Sequence, residues 1–274
     1  MYSPFLYGLH FRDELKAFSD DGILEIVEVV KPSDNSYKRK MKIESIVKKL
    51  ERLADPEKVT LKREKFGISA DRSLGIYHKD LKLIAKELGR NNELAIQLFE
   101  TGIYEARILC SKMFKPTDIT EELMERWVQT FENWEICDSF CMGLFAKSVF
   151  AQQKILEWTL RGREFEKRAG FVIIAAYCMA DKKAGNDVFE QFIPLIERES
   201  TDSRIYVKKA VNWALRNIGK RNSDLNVKAI SVARKLSLLE NKSAKWIGCN
   251  ALSEIGKSTV NVLDYPRSIY RNNG

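Results

Sequence analysis

Between residues 91 and 256 apolar side chains return at helical spacing in ten stretches, and these stretches fall into pairs. The first members are expected over 91–101, 120–131, 151–159, 187–197 and 223–236, and the second over 103–115, 134–147, 164–180, 204–219 and 241–256. Corresponding points on the second members line up as Ala106-Arg107, Cys137-Asp138, Lys167-Arg168, Lys208-Lys209 and Lys245-Trp246, about 30 to 42 residues apart. That period belongs to helical-hairpin repeats. One such hairpin cannot bury its apolar face alone. Stacking the hairpins buries a continuous core and forms a curved solenoid whose second helices line one concave surface. The competing arrangement is an irregular all-α domain.

The rest of the chain agrees with an all-α reading. Only Pro56, Pro116 and Pro194 occur from residue 38 to 257, and no convincing run of alternating strand residues is present. Gly67-Ile68 and Gly75-Ile76 read as turns. Three regions are expected: an N-terminal extension or appendage over 1–37, a helical-repeat domain over 38–257, and a tail over 258–274 with little helical patterning. No apolar run approaches the ~20 residues of a membrane span, and the first residues lack the order of a secretory signal. The five cysteines (Cys110, Cys137, Cys141, Cys178, Cys249) are an odd number set among apolar neighbours, as for reduced core residues. Together these features place the protein inside the cell, cytoplasmic and nucleoid-associated or nuclear.

Charge is unevenly spread. The net charge is +8, but residues 1–37 carry three Lys/Arg against seven Asp/Glu, so the remaining 237 residues carry +12. The densest basic run is Ser203 to Ser223, with Arg204, Lys208, Lys209, Arg216, Lys220, Arg221 and no acid. As a helix it has an apolar stripe of Val207, Val211, Ala214, Leu215 and Ile218. Trp213 falls on the opposite side, among Lys209, Arg216 and Lys220. An aromatic in a cationic face suits a polyanion with flat or sugar-like surfaces, which points to nucleic acid. On the solenoid reading Arg107, Asp138, Arg168, Lys209, Trp213, Arg216 and Lys245 reach one inner surface.

Trp134 and Asp138 are four apart and lie one above the other on a helix. Asp138 has no basic residue at i±3 or i±4, so no local ion pair accounts for it. An acidic residue favoured by the helix dipole, beside an ordinary packing tryptophan, is the plainer interpretation.

The string Glu132-Asn133-Trp134-Glu135-Ile136-Cys137-Asp138 resembles the Trp-x-x-x-Asp segment of the DNA alkylation repair proteins, the AlkD-like HEAT-repeat DNA glycosylases. Gly102-Ile103-Tyr104-Glu105-Ala106-Arg107, Glu166-Lys167-Arg168-Ala169-Gly170-Phe171 and Val207-Lys208-Lys209-Ala210-Val211-Asn212-Trp213-Ala214-Leu215-Arg216 resemble the same family in the same order, so the likeness covers about residues 40–256. The resemblance implies a right-handed superhelical solenoid of HEAT-like repeats with a concave basic groove. It implies that Asp138 is the catalytic carboxylate, that Trp134 and Trp213 contact the deoxyribose, and that Arg168 and Arg216 contact the backbone. Lys208, Lys209, Lys220, Arg107 and Lys245 join them as expected DNA contacts. The partner implied is duplex DNA containing alkylated bases, bound by a monomer, with no metal and no cofactor. The family excises cationic alkylpurines such as 3-methyladenine and 7-methylguanine.

That chemistry is coherent with the residues. Breaking an N-glycosidic bond builds positive charge on the sugar. A purine alkylated at N3 or N7 leaves as a neutral base without a general acid. A fixed carboxylate and electron-rich aromatic faces near the sugar are then the useful groups. Cys137 beside Asp138 and the N-terminal extension depart from the family pattern and put substrate preference in doubt. A non-catalytic repeat module that binds duplex nucleic acid by shape and charge is the alternative, and a protein-interaction scaffold is a third. The acidic residues 1–37 could also fold back and compete with DNA. His10 and His78 lie far apart with no cysteine near either, and no Gly-rich phosphate loop is present. Trp127 and Trp158 read as core, and Trp246 as either a groove or a capping residue.

Overall fold

The computed structural model describes residues 34–271, with side chains from residue 42 onward. The expectations placed on residues 1–33, including the folding back of the acidic extension, lie outside these residues. A compact unit runs from Ile43 onward. Among the described residues every regular element is helical. The helices are α1 (Asp34–Arg52), α2 (Pro56–Phe66), α3 (His78–Leu88), α4 (Asn92–Glu100), α5 (Tyr104–Met113), α6 (Glu121–Val128), α7 (Trp134–Gly143) and α8 (Ala151–Trp158). They continue as α9 (Glu164–Ala180), α10 (Asn186–Glu190), α11 (Ile193–Glu199), α12 (Ile205–Gly219), α13 (Ser223–Ser237), α14 (Lys242–Ile255) and α15 (Arg267–Tyr270). No helix among them is long and apolar enough to cross a membrane.

The starts follow from side-chain caps. Asn91, Thr120, Asn133, Asn222 and Asn241 each accept a backbone N–H from the first turn of α4, α6, α7, α13 and α14. These residues satisfy donors that have no partner within the helix. The expected second helices are α5, α7, α9, α12 and α14, each packed on the next in that order. The expected first helix over 187–197 is two short helices, α10 and α11, because Pro194 opens α11 and lacks the N–H to continue α10. Where α14 meets α13 the backbones nearly touch: a Cβ on Gly248 would lie 2.3 Å from the Ser237 nitrogen.

The core lies between the two helix layers. Phe140 on α7 stands 5.3 Å from Trp127 and 5.3 Å from Phe131, and all three are buried. Trp158 is buried too, so both expected core tryptophans are core. Cys110, Cys137, Cys141 and Cys178 are buried thiols, while Cys249 is exposed on α14 and does not join them. The tail is docked rather than free over its described part. Leu263 and Tyr265 donate backbone N–H groups to the Lys220 and Arg221 carbonyls at 2.8 and 3.1 Å, and Tyr265 is buried.

Candidate nucleic-acid interface and catalytic carboxylate

α7 positions the central constellation. Asn133 accepts the Glu135 and Ile136 N–H groups at 3.0 and 3.2 Å and so sets where α7 begins. One residue later Trp134 is half-buried, and its indole N–H donates to the Phe66 carbonyl at 2.8 Å, which ties it to the end of α2. Glu135 turns inward, where Lys62 Nζ and Tyr104 Oη stand 2.8 and 2.9 Å from its Oε2. One turn after Trp134 comes Asp138, with 17% of its side chain exposed.

Asp138 has a partner that helix periodicity along α7 could not reveal. Arg168, on α9, donates through Nε to Oδ1 at 2.9 Å and through Nη2 to Oδ2 at 2.8 Å. Its Nη1 donates to the Tyr206 carbonyl at 2.7 Å, at the start of α12. Three successive second helices are joined in this way at one point. Burial raises the Asp138 carboxyl above its ordinary value, and the Arg168 charge and hydrogen bonds pull against that shift. Both oxygens accept from the guanidinium, so the group in this arrangement is a carboxylate.

Around the pair are aromatic residues that sequence patterning had not singled out. Phe165 and Tyr206 lie 5.4 Å apart, and Phe66 is exposed at the end of α2. Gly67 has φ 63°, and a Cβ there would sit 2.5 Å from the Tyr206 hydroxyl. The one signal in the sequence for this approach is the glycine that ends α2.

Three of the six cations in the basic run are answered by acids outside it. Arg216 and Lys220 both pair with Glu254 of α14. Arg204 pairs with Asp202 at 2.5 Å. Arg221 is fully buried, donating to the Cys178, Asp181 and Ala184 carbonyls with its guanidinium 4.0 Å from the Phe189 ring centre. Lys208 and Lys209 have no carboxylate partner among the described residues, and Lys208 stands 5.1 Å over the exposed Trp246. Lys245, beside that tryptophan, is exposed. Trp213 is half-buried against the core and makes no hydrogen bond or ring contact with Trp134 or Asp138. It follows Tyr206 by seven residues, roughly 10 Å along the helix axis. Arg107 is turned away from solvent, paired with Glu132 at 2.8 Å and donating to the Thr130 carbonyl.

A family model described as DNA alkylation repair enzyme matches residues 46–245. The chain belongs to that family. A solved structure described as "a new family of proteins related to the HEAT-like repeat DNA glycosylases with affinity for branched DNA structures" is similar over 80% of this chain and 97% of its own, at 19% identity and a TM-score of 0.64. The fold is therefore the HEAT-like helical repeat. A comparison with curated proteins finds no match.

Proposed function

We propose that this DNA alkylation repair protein is a monomeric, monofunctional glycosylase. It would hydrolyse the N-glycosidic bond of cationic alkylpurines, of the 3-methyladenine and 7-methylguanine type, in duplex DNA. The observation that carries the reading is the Asp138 carboxylate, held by Arg168 at the edge of α7 one turn from Trp134. Residues 38–257 form the catalytic domain, and α5, α7, α9, α12 and α14 line its DNA-facing concave groove.

In the reaction the C1′–N bond breaks and its electron pair leaves with the base, whose formal positive charge is thereby neutralised. The sugar becomes oxocarbenium-like, and water adds at C1′ with loss of a proton. Asp138 supplies a fixed negative charge to the sugar and an acceptor that orients the water. Arg168 serves as a positioning residue, keeping the carboxylate ionised and immobile. Trp134 and Trp213 present π faces to the sugar. Lys208, Lys209 and Lys245 contact phosphates, and Arg216 and Lys220 do so once Glu254 yields them. The step needs no protonation of the leaving base, so neutral lesions are expected to be poor substrates.

The decisive experiment measures release of 7-methylguanine and 3-methyladenine from methylated duplex DNA by the natural chain and by Asp138→Asn. Release that collapses in the variant while DNA binding persists supports the reading. Absence of release from both proteins, with salt-dependent DNA binding, favours the second one. That second reading is a non-catalytic module for duplex or branched DNA, and one observation favours it: both Asp138 oxygens are already occupied by Arg168.

A further inference from the structure

In the basic run Arg204, Arg216 and Lys220 are matched with acids, whereas a second group of cations has no acid among the residues that line its hollow. Between α3 and the last turn of α5 lies a depression of about 370 Å³ lined by Lys82, Ala85, Lys86, Gly89, Arg90 and Lys112. Four of these six residues are cationic and none is acidic. Three carboxylates of this part of the chain are engaged elsewhere: Glu87 with Lys49 at 2.5 Å, Glu135 with Lys62 at 2.8 Å, and Asp118 with Asn92 at 2.7 Å. Lys82 and Lys86 are exposed and make no hydrogen bond or ion pair among the described residues. Arg90 donates to the Phe114 carbonyl.

Helix-dipole stabilisation accounts for one cation in the last turn of α3 and one in that of α5, but not for four around one hollow. Lys112 is the most costly of them. Burial pushes its ammonium down from the ordinary lysine value, the charge of Lys82 adds to the effect, and Glu135 opposes it. Unmatched cations gathered at one depression repel one another, and the arrangement is relieved when an anion with several acceptor oxygens enters.

The position is distinct from that of Asp138. On α7, Ser139 follows Asp138 and therefore points about 100° away around the helix. Ser139 Oγ lies 3.2 Å from His78 Nε2, and His78 Nδ1 lies 3.4 Å from Lys112 Nζ at the hollow. Asp138 thus faces α9, and the hollow lies on the α3 side of the same helix.

We propose that the cationic hollow between α3 and α5 binds phosphodiester groups of a DNA segment other than the one passing Asp138, so that the protein holds two arms of a branched DNA. This rests on the reading that the chain binds DNA.

The test uses the full chain and a Lys82→Gln/Lys86→Gln variant, titrated with a linear duplex and with a four-way junction of the same arm sequences at several salt concentrations. A Lys182→Gln/Lys183→Gln variant controls for loss of charge. The expected result is a junction affinity lowered roughly tenfold and a log–log salt slope less negative by about 1.8, at ~0.9 per phosphate contact. The linear-duplex affinity should change no more than in the control. Lys82→Arg/Lys86→Arg should retain junction binding. Equal losses on both DNAs, or no loss on the junction, would overturn the proposal. So would calorimetric binding of inorganic phosphate that disappears in the Gln variant while junction binding does not. A natural chain that binds neither DNA defeats the underlying reading instead, and the linear-duplex titration reports that separately.

Discussion

Arg168 on α9 grips both carboxylate oxygens of Asp138 on α7, at 2.9 and 2.8 Å, while its remaining terminal nitrogen holds the Tyr206 carbonyl of α12. The pair is therefore a structural joint and a candidate catalytic group at once. Removing one member of a buried ion pair leaves the other uncompensated, at a cost of about 3–5 kcal/mol. Arg168→Ala and Asp138→Ala should each lose about that much stability. Asp138→Ala/Arg168→Ala should lose clearly less than the sum of the single changes. Urea midpoints for the single and double variants give the coupling directly, and strict additivity would dissolve the pair.

Trp213 is expected to act on the sugar rather than on DNA affinity. Trp213→Ala should lower excision by roughly the 2 kcal/mol of a desolvated cation–π contact, about thirtyfold in rate. Non-specific duplex affinity should fall far less. Equal losses would reduce Trp213 to a DNA-holding residue.

Glu254 restrains the cations Arg216 and Lys220. Glu254→Gln should release both to phosphates, strengthen duplex binding at low salt and steepen its salt dependence by up to about two contacts. Arg216→Ala should weaken binding and reduce the slope by about one contact. If neither slope moves, this end of α12 lies off the DNA path.

His78 gives the protein a defined acid sensitivity. Burial holds its imidazole down to about 4 from the ordinary 6.5, with the Lys112, Lys62 and Lys82 charges acting the same way and Glu135 opposing them. The unfolded chain takes up this proton near 6.5, whereas the folded chain resists it until about 4. The stability contribution is therefore complete above 6.5 and lost as pH falls through 4. Urea midpoints should decline over that interval less steeply in His78→Gln than in the natural chain. Parallel declines would remove His78 as the cause.

Gly67 holds a left-handed backbone against the Tyr206 hydroxyl. Gly67→Ala should cost about 1–2 kcal/mol for the backbone alone, with more from the displaced ring. Tyr206→Phe should recover part of that second component when combined with it. Thermal denaturation of the three variants checks this, and no recovery would mean that the hydroxyl gives way freely.

Much of the helix order was legible because periodicity and caps are local. Asn91, Asn133 and Asn222 each stand immediately before an apolar helical run, and α4, α7 and α13 start one residue after them. The Trp134–Asp138 spacing also survived intact, since both residues are on one helix. The pairing of Asp138 with Arg168 was not legible, because they are thirty residues apart with the whole of α8 between their helices. Likewise the acid-free run on α12 suggested a free cationic face, yet its principal counter-ion is Glu254, thirty-eight residues beyond Arg216.

The sequence by itself determined which segments coil, where most of them start, and which side of α7 presents a tryptophan and an aspartate. Nearest-neighbour sterics, caps and apolar periodicity act within a few residues, and those quantities depend on little else. Tertiary structure alone decided which charges are free. A surface potential depends on the acids that packing brings alongside each cation. Stacking placed Glu254 on Arg216 and Lys220, placed Arg168 on Asp138, and left Lys82, Lys86, Arg90 and Lys112 around a hollow with no acid in its lining.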